Sequence, residues 1–142
     1  MTSLSFPDVN VWFALLYADH VHRTSALTWW QSEATEKIAF TRLTQMSLLR
    51  LSTTAAAMNG QPLTMTEAWQ AYDRLFEDDR VVIFPEPPGI ETQFRQLSKA
   101  SFASPKVWAD AYLVAFASGH QGQLVTFDQA LEDRGARCLV LR

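Results

Sequence analysis

The stretch Ser3-Leu4-Ser5-Phe6-Pro7-Asp8-Val9-Asn10-Val11-Trp12-Phe13-Ala14-Leu15-Leu16 changes its hydrophobic pattern at a proline. Before Pro7, small and apolar residues alternate as in an extended strand, and after it a continuous apolar run is typical of a buried helix. One acid, Asp8, lies at the junction. Open α/β sheets bind ligands at the carboxyl ends of their strands, which makes Asp8 a candidate site residue. Its carboxylate is equally suited to cap the helix that follows.

The composition of the 142-residue chain indicates a globular protein with a substantial core. Hydrophobic residues make up 48% of the chain and charged residues 19%, unlike a disordered segment. This length suits one domain, so we expect residues 1–142 to fold as a single unit. The formal net charge of −3 excludes a global basic field, so any nucleic-acid contact must come from a local patch.

Cysteine usage and hydropathy predict the cellular location. Cys138 is the single cysteine, which precludes an intrachain disulfide and is compatible with a reducing compartment. The N-terminus has no secretory-signal pattern, and the longest apolar run, residues 11–18, is too short to cross a bilayer. We therefore expect a soluble, cytoplasmic protein without membrane contact.

Apolar segments that suit strands alternate with segments of helical periodicity along the rest of the chain. Further strands are predicted at residues 38–40, 81–84, 124–127 and 138–141. Helices are predicted over residues 41–57 and 90–100. Three more are predicted from their starting signals, which are a Thr24 cap, a Thr64–Glu67 capping box and Ser104-Pro105. A further short helix is predicted after Asp128. Strands that are apolar on both faces, with helices between them, predict a three-layer α/β/α fold around a mostly parallel sheet of about five strands.

Three of the predicted helices carry apolar stripes at helical spacing. We expect these stripes to lie in the core, or for the second of them in an interface. The stripes are Ala26, Leu27, Trp30 and Ala34; Met65, Trp69, Tyr72 and Phe76; and Ala109, Tyr112, Leu113, Phe116 and Ala117.

Three acids are predicted to converge at one edge of this sheet. Asp8 follows the first strand and Asp128 the fourth, and the carboxyl ends of parallel strands share an edge. Asp110 lies near the start of a mostly apolar helix, whose N-terminal dipole favours a carboxylate, although a solvent-facing acid is the alternative. Mutual repulsion of such carboxylates is relieved by a divalent cation, and oxygen ligands suit Mg²⁺ or Mn²⁺. This chemistry points to metal-assisted phosphodiester hydrolysis.

Other kinds of site fit the sequence less well. His20 and His22 are spaced as a pair of metal ligands, but no third ligand with zinc-like spacing accompanies them. No Walker loop, dinucleotide fingerprint or serine nucleophile elbow is present. A phosphatase with Asp8 as the covalent nucleophile is a further alternative, but Asn10 stands where that chemistry usually has a second acid.

Four segments resemble, in order, the motifs of PIN-domain ribonucleases, specifically the VapC-type toxins of bacterial toxin–antitoxin pairs. They are residues 6–12 (FPDVNVW), 41–50 (TRLTQMSLLR), 108–117 (WADAYLVAFA) and 124–128 (LVTFD). They are distributed from residue 6 to residue 128, so the resemblance extends along essentially the whole chain. The resemblance implies a PIN fold, an endoribonuclease dependent on Mg²⁺ or Mn²⁺, a homodimer, and a small antitoxin that blocks the site.

The resemblance also assigns roles to individual residues. Carried over by position, Asp8, Asp110 and Asp128 would be the catalytic, metal-binding acids. Asn10 and Thr126 would support the site by hydrogen bonding.

The second motif departs from the general PIN pattern, because Gln45 stands where many members have glutamate. A VapC-like subgroup with a Thr-Gln pair resembles this chain better. Gln45 can offer a carbonyl oxygen or hold a metal-bound water, but it supplies no charge. A catalytically weak PIN-like module that binds RNA or protein therefore remains the alternative function, and Glu86, past the third strand, is a substitute acid unless it is simply solvated.

Basic residues near the predicted edge are candidates for RNA contact. These are Arg23, Arg42 and Arg50, for which ordinary solvent exposure is the alternative.

Overall fold

The computed structural model describes residues 3–142, and within them five strands form one sheet. The strands are β1 (Leu4–Pro7), β2 (Lys37–Phe40), β3 (Val81–Ile83), β4 (Gln123–Thr126) and β5 (Arg137–Val140). Their order across the sheet is β3-β2-β1-β4-β5, and every neighbouring pair is parallel. The predicted α/β fold is confirmed, with a fully parallel sheet in the described residues.

Six α-helices within residues 3–142 cover the two faces of the sheet. They are α1 (Val9–Leu16), α2 (Arg23–Ser32), α3 (Arg42–Ser52), α4 (Met65–Leu75), α5 (Ile90–Leu97) and α6 (Val107–Gly119). Helices α1 to α4 share one apolar cluster, and α5 and α6 share the other. Side chains of β2 alternate between these clusters, which explains why the strands are apolar on both faces. None of the helices in this part of the chain is long and apolar enough to cross a membrane.

Aromatic packing and one glycine hold together the elements around β1. The rings of Trp12 and Phe40 stack with their centroids 3.7 Å apart, and both side chains are 0% exposed. On the other face, Phe6 packs edge-on against Phe116. Gly122 allows this approach, because a Cβ atom there would lie 2.6 Å from the Phe6 ring.

The ends of α3 and α5 correct the sequence prediction, because hydroxyl groups end both helices early. Helix α3 ends at Ser52 rather than near residue 57. Directly after this end, the hydroxyl of Thr53 donates to the carbonyl oxygen of Leu49 at 2.9 Å. Helix α5 ends at Leu97 rather than residue 100, and the Ser98 hydroxyl donates to a carbonyl oxygen in its last turn. Such side-chain bonds compete with continued helix.

The starts of α2 and α6 also differ from the prediction. Helix α2 begins at Arg23, so Thr24 lies inside its first turn instead of capping it. Helix α6 begins at Val107, because the Val107 N–H donates to the backbone carbonyl of Ser104 in a turn that precedes the helix.

The apolar stripes are only partly buried. In α2, Trp29 is the buried tryptophan at 1% exposure, whereas the predicted Trp30 is half-buried. Ala109 of α6 is exposed, contrary to the prediction. In α4, Tyr72 is buried but Trp69 is 48% exposed, so that stripe divides between core and surface.

We expect Trp12→Ala to lower the free energy of unfolding by about 3–5 kcal/mol, because it empties a fully buried stacked position. The matched control is Trp108→Ala, since Trp108 is 60% exposed and its removal should cost less than about 1 kcal/mol. Urea denaturation followed by circular dichroism measures both. Equal losses in the two variants would contradict this assignment of the core.

Candidate active site

The carboxyl ends of β1 and β4 lie side by side and each leads into an acid. Thr126, the fully buried last residue of β4, connects the two. Its hydroxyl donates to the Asp8 carboxylate and accepts from the backbone N–H of Asp128 at 3.0 Å. The other Asp8 oxygen accepts from the N–H groups of Asn10 and Val11, so Asp8 also caps α1. Asn10 contributes its backbone here, and its side chain is exposed.

Asp8 is held in an environment that disfavours its charge. Burial raises the pKa of Asp8 above the ordinary value, and the negative charge of Asp110 raises it further. Hydrogen bonds from Thr126 and from the two backbone groups oppose that shift. The carboxylate is therefore rigidly oriented but poorly solvated.

Asp110 lies in the first turn of α6 and is half-buried. Burial raises its pKa, and so does the charge of Asp128, while Lys106 and Arg134 act in the opposite direction. Asp110 thus interacts electrostatically with both other acids. The three predicted acids are therefore electrostatically coupled along this edge of the sheet.

Asp128 is the most solvated of the three and has a basic neighbour. One oxygen accepts from the backbone N–H of Ala130 at 2.9 Å, and the other lies 3.3 Å from the Lys106 ammonium. The Ala130 hydrogen bond, followed by Lys106, holds the pKa of Asp128 below its ordinary value. Sequence reasoning missed Lys106 and Arg134. The spacing of Lys106, four residues before Asp110, was the available signal, because such residues are neighbours on a helix.

The donor chemistry suits a hard divalent cation, since carboxylate oxygens are the preferred ligands of Mg²⁺ and Mn²⁺. Across residues 3–142, however, no three Asp, Glu, His or Cys side chains are grouped tightly enough to hold a metal ion together. Binding one ion to all three acids would therefore require side-chain movement. At the alternative pair, the ring of His20 accepts from the His22 N–H, and His22 stacks on Phe127.

Gln45 is buried, and both polar atoms of its amide are engaged. Its oxygen accepts from the Arg42 guanidinium at 2.6 Å, and its nitrogen donates to the Tyr72 hydroxyl at 3.2 Å. The amide oxygen proposed as a metal or water ligand is thus bound to Arg42. Gln45 orients Arg42 at the start of α3, next to the carboxyl end of β2.

The other two predicted arginines lie in different surroundings. The Arg23 guanidinium donates to the carbonyl oxygens of Ala14 and Leu15, at 3.4 and 3.0 Å, and so stabilises the end of α1. Arg50 is exposed and lines a groove between α3 and α4 together with Trp69.

Glu86 follows β3 at the same edge of the sheet, and its carboxylate accepts from the Tyr112 hydroxyl at 2.6 Å. Burial and this donated hydrogen bond raise the pKa of Tyr112 well above the ordinary range. Sequence reasoning expected Tyr112 only in the core. Its hydroxyl instead links α6 to the end of β3.

Comparison with known proteins identifies the family of this chain. The family model for the PIN domain matches residues 5–136. The chain is 43% identical over 133 residues to Ribonuclease VapC41 of Mycobacterium tuberculosis. This alignment covers 90% of the chain and 91% of the relative.

Solved structures show the same fold at low sequence identity. The M. tuberculosis toxin VapC20, described as cleaving the sarcin–ricin loop, aligns with a TM-score of 0.67 and 16% identity over 93% of this chain and 95% of its own. Rickettsia felis VapBC2, solved on a DNA fragment from its promoter, aligns with a TM-score of 0.65 and 12% identity over 98% and 99% of the two chains. The chain therefore belongs to the PIN-domain family, among the VapC ribonucleases.

Proposed function

We propose that this protein is the toxin of a type II toxin–antitoxin pair and hydrolyses RNA phosphodiester bonds with the help of Mg²⁺ or Mn²⁺. The observation that carries the proposal is the series of electrostatically coupled carboxylates at one sheet edge, two of them with raised pKa values. Such clusters are typical of catalytic sites. The similarity to a named ribonuclease gives the reaction class.

In this proposal Asp8, Asp110 and Asp128 would hold the cation. Held by these residues, a divalent cation would supply a lowered pKa for a coordinated water and would offset charge on the phosphoryl oxygen. Thr126 keeps the Asp8 carboxylate in a fixed orientation through its hydroxyl. The Lys106 ammonium, 3.3 Å from an Asp128 oxygen, reduces the repulsion among the acids.

The remaining proposed residues act around this centre. Asn10 supports Asp8 through its backbone N–H, and Gln45 acts indirectly by holding Arg42. Arg42 and Arg50 are the exposed basic residues we propose for RNA contact. Arg23 is a weaker candidate for that role, because its guanidinium is occupied by carbonyl groups of α1.

The proposed partners are cellular RNA, a small antitoxin and a second copy of the chain. Antitoxin binding is supported by the toxin–antitoxin complexes among the structural neighbours. The exposed part of the α4 stripe, Met65 and Trp69, supplies apolar surface for such contacts. Because the proposed substrate is cellular RNA, we propose a cytoplasmic location, with residues 1–142 acting as one PIN-like domain.

A catalytically weak RNA- or protein-binding module is the second candidate. It is favoured by the neutral Gln45 and by the looseness of the acidic cluster in the described residues 3–142. A metal-dependent ribonuclease assay on the purified protein separates the two candidates.

We expect Asp8→Asn, Asp110→Asn and Asp128→Asn each to reduce RNA cleavage and growth inhibition by more than about 100-fold. Even changes around metal ligands cost 10- to 100-fold, and these variants remove a ligand charge. Cleavage of a labelled RNA with Mn²⁺, together with circular dichroism of each variant, measures the effect. Asp79→Asn is the matched control, because this exposed acid precedes β3 at the opposite edge of the sheet. Full activity in all three folded variants would exclude the proposed site.

Removing the Asp110 charge should stabilise the metal-free protein at neutral pH. The folded-state pKa of Asp110 lies above the unfolded value of 3.8. Between these two pKa values the folded protein holds more protons than the unfolded chain, so its stability falls as the pH rises. Above the window the ionised group remains destabilising. In thermal melts, Asp110→Asn should therefore exceed the wild type at pH 7, and the difference should vanish below about pH 4.

The same variant should respond less to metal. An ion present at 100 times its Kd stabilises a binding-competent protein by about 2.7 kcal/mol, and the loss of Asp110 should remove most of this gain. Melts with and without Mn²⁺ measure it. A metal-free melting temperature below that of the wild type, or an equal response to Mn²⁺, would contradict this role of Asp110.

We expect the purified protein to be a homodimer, because Met65 and Trp69 expose apolar side chains that a partner surface would cover. Multi-angle light scattering at micromolar concentration should report about twice the 16.1 kDa mass of one chain. A monomer mass under these conditions would refute the dimer.

A further inference from the structure

A cavity of about 310 Å³ lies at the carboxyl end of β3, beside the acidic edge. Its lining residues come from α3, from β3 and the segment after it, and from α6: Arg42, Ile83, Phe84, Pro85, Glu86, Tyr112 and Phe116. The volume is at the lower end of the range for ligand pockets, which suits one small planar group. The carboxylates of the proposed catalytic centre do not line it.

The polar side of the cavity presents hydrogen-bond acceptors in a fixed arrangement. The Tyr112 hydroxyl donates to Oε2 of Glu86 at 2.6 Å, which orients the carboxylate. An ionised carboxylate is acceptor-only and has about four lone-pair sites, so one donated bond leaves it able to accept two more. A ligand with two neighbouring donors would therefore complement this side of the cavity.

The apolar and basic sides suit a nucleotide. Pro85 and the 39% exposed Ile83 offer apolar surface, and the half-buried Tyr112 adds an aromatic ring. Arg42 lines the same space, with its guanidinium held by Gln45 at 2.6 Å. Proteins read single-stranded RNA in this way, by stacking unpaired bases on side chains and bonding to their edges.

We propose that this cavity binds a guanine base of the RNA, with the Glu86 carboxylate accepting from N1–H and the 2-amino group. The inference rests on the proposed function, because it names the base that the ribonuclease reads beside its cleavage site. Guanine alone among the four RNA bases presents two adjacent donors on its Watson–Crick edge. Adenine, cytosine and uracil place an acceptor beside their donor, which would face the carboxylate lone pairs unfavourably.

The position of the cavity fits a nucleotide next to the scissile bond. β3 is two strands away from β1 in the sheet order, and parallel strands are about 4.8 Å apart. Glu86 therefore follows a strand about 10 Å from the one that leads into Asp8. A base in the cavity would fix the register of the chain relative to the acids.

The test is nucleotide binding to the full-length protein without divalent metal, followed by NMR chemical shifts. The probes are GMP, IMP, AMP, CMP and UMP. We expect the wild type to bind GMP roughly ten- to hundredfold more tightly than AMP, since each hydrogen bond to a charged group is worth about 1.5–3 kcal/mol. IMP, which lacks the 2-amino group, should lie between them.

Glu86→Gln should remove this preference, because an amide offers an acceptor and a donor in place of two acceptors. Glu91→Gln is the matched control: it makes the same change of charge at an exposed α5 position paired with Arg95, outside the cavity. It should keep the preference for GMP. Equal or absent binding of all five nucleotides by the wild type, or an unchanged preference in Glu86→Gln, would overturn the proposal.

The binding assay separates this inference from the proposed function, because it requires neither metal nor cleavage. Binding selective for GMP in a protein that cleaves no RNA would refute only the ribonuclease. Metal-dependent cleavage without selective binding of GMP would refute only the guanine site.

Discussion

The hydroxyl of Thr126 joins the ends of β1 and β4 at the centre of the sheet. It donates to Asp8 and accepts from the backbone of Asp128, so one buried group orients both acids. Water cannot compete with these bonds, since Thr126 is 0% exposed. The parallel register that pairs Pro7 with Val125 brings the partners within reach. Asp8 in turn starts α1, so the same contact links the first helix to the site.

Collecting acids at this edge has an energetic cost that the surrounding residues reduce only in part. Burial disfavours the charges of Asp8 and Asp110. The charge of Asp110 also raises the pKa of Asp8, and that of Asp128 raises the pKa of Asp110. Lys106 and Arg134 offset some of this repulsion from the start of α6 and from the loop before β5. Stability given up for a preformed functional site is common in enzymes.

The neighbouring part of the edge has a different character. Gln45 forms hydrogen bonds with both Arg42 and Tyr72. Tyr112 donates a separate hydrogen bond to Glu86. These groups are uncharged or of mixed sign, so they need no cation to remain together. The same edge therefore combines a concentration of negative charge suited to phosphate chemistry with a cavity of matched polar and apolar groups suited to recognising a base. Helix α6 connects the two, because Asp110 and Tyr112 lie on successive parts of its first turns.

The sequence by itself determined the element types, the parallel sheet and the shared edge of Asp8 and Asp128, because these follow from hydrophobic periodicity and from the polarity of strand ends. Tertiary structure alone decided which tryptophan of α2 is buried, since adjacent helix positions differ by about 100° and packing sets the rotation. It also decided that the amide oxygen of Gln45, which the sequence offered as a metal or water ligand, accepts from Arg42. Likewise, Tyr112 meets Glu86 across 26 residues of chain. Sequence patterns show which segments form strands and helices, but the rotation of a helix and the contacts between distant segments depend on distances that only the packed fold creates.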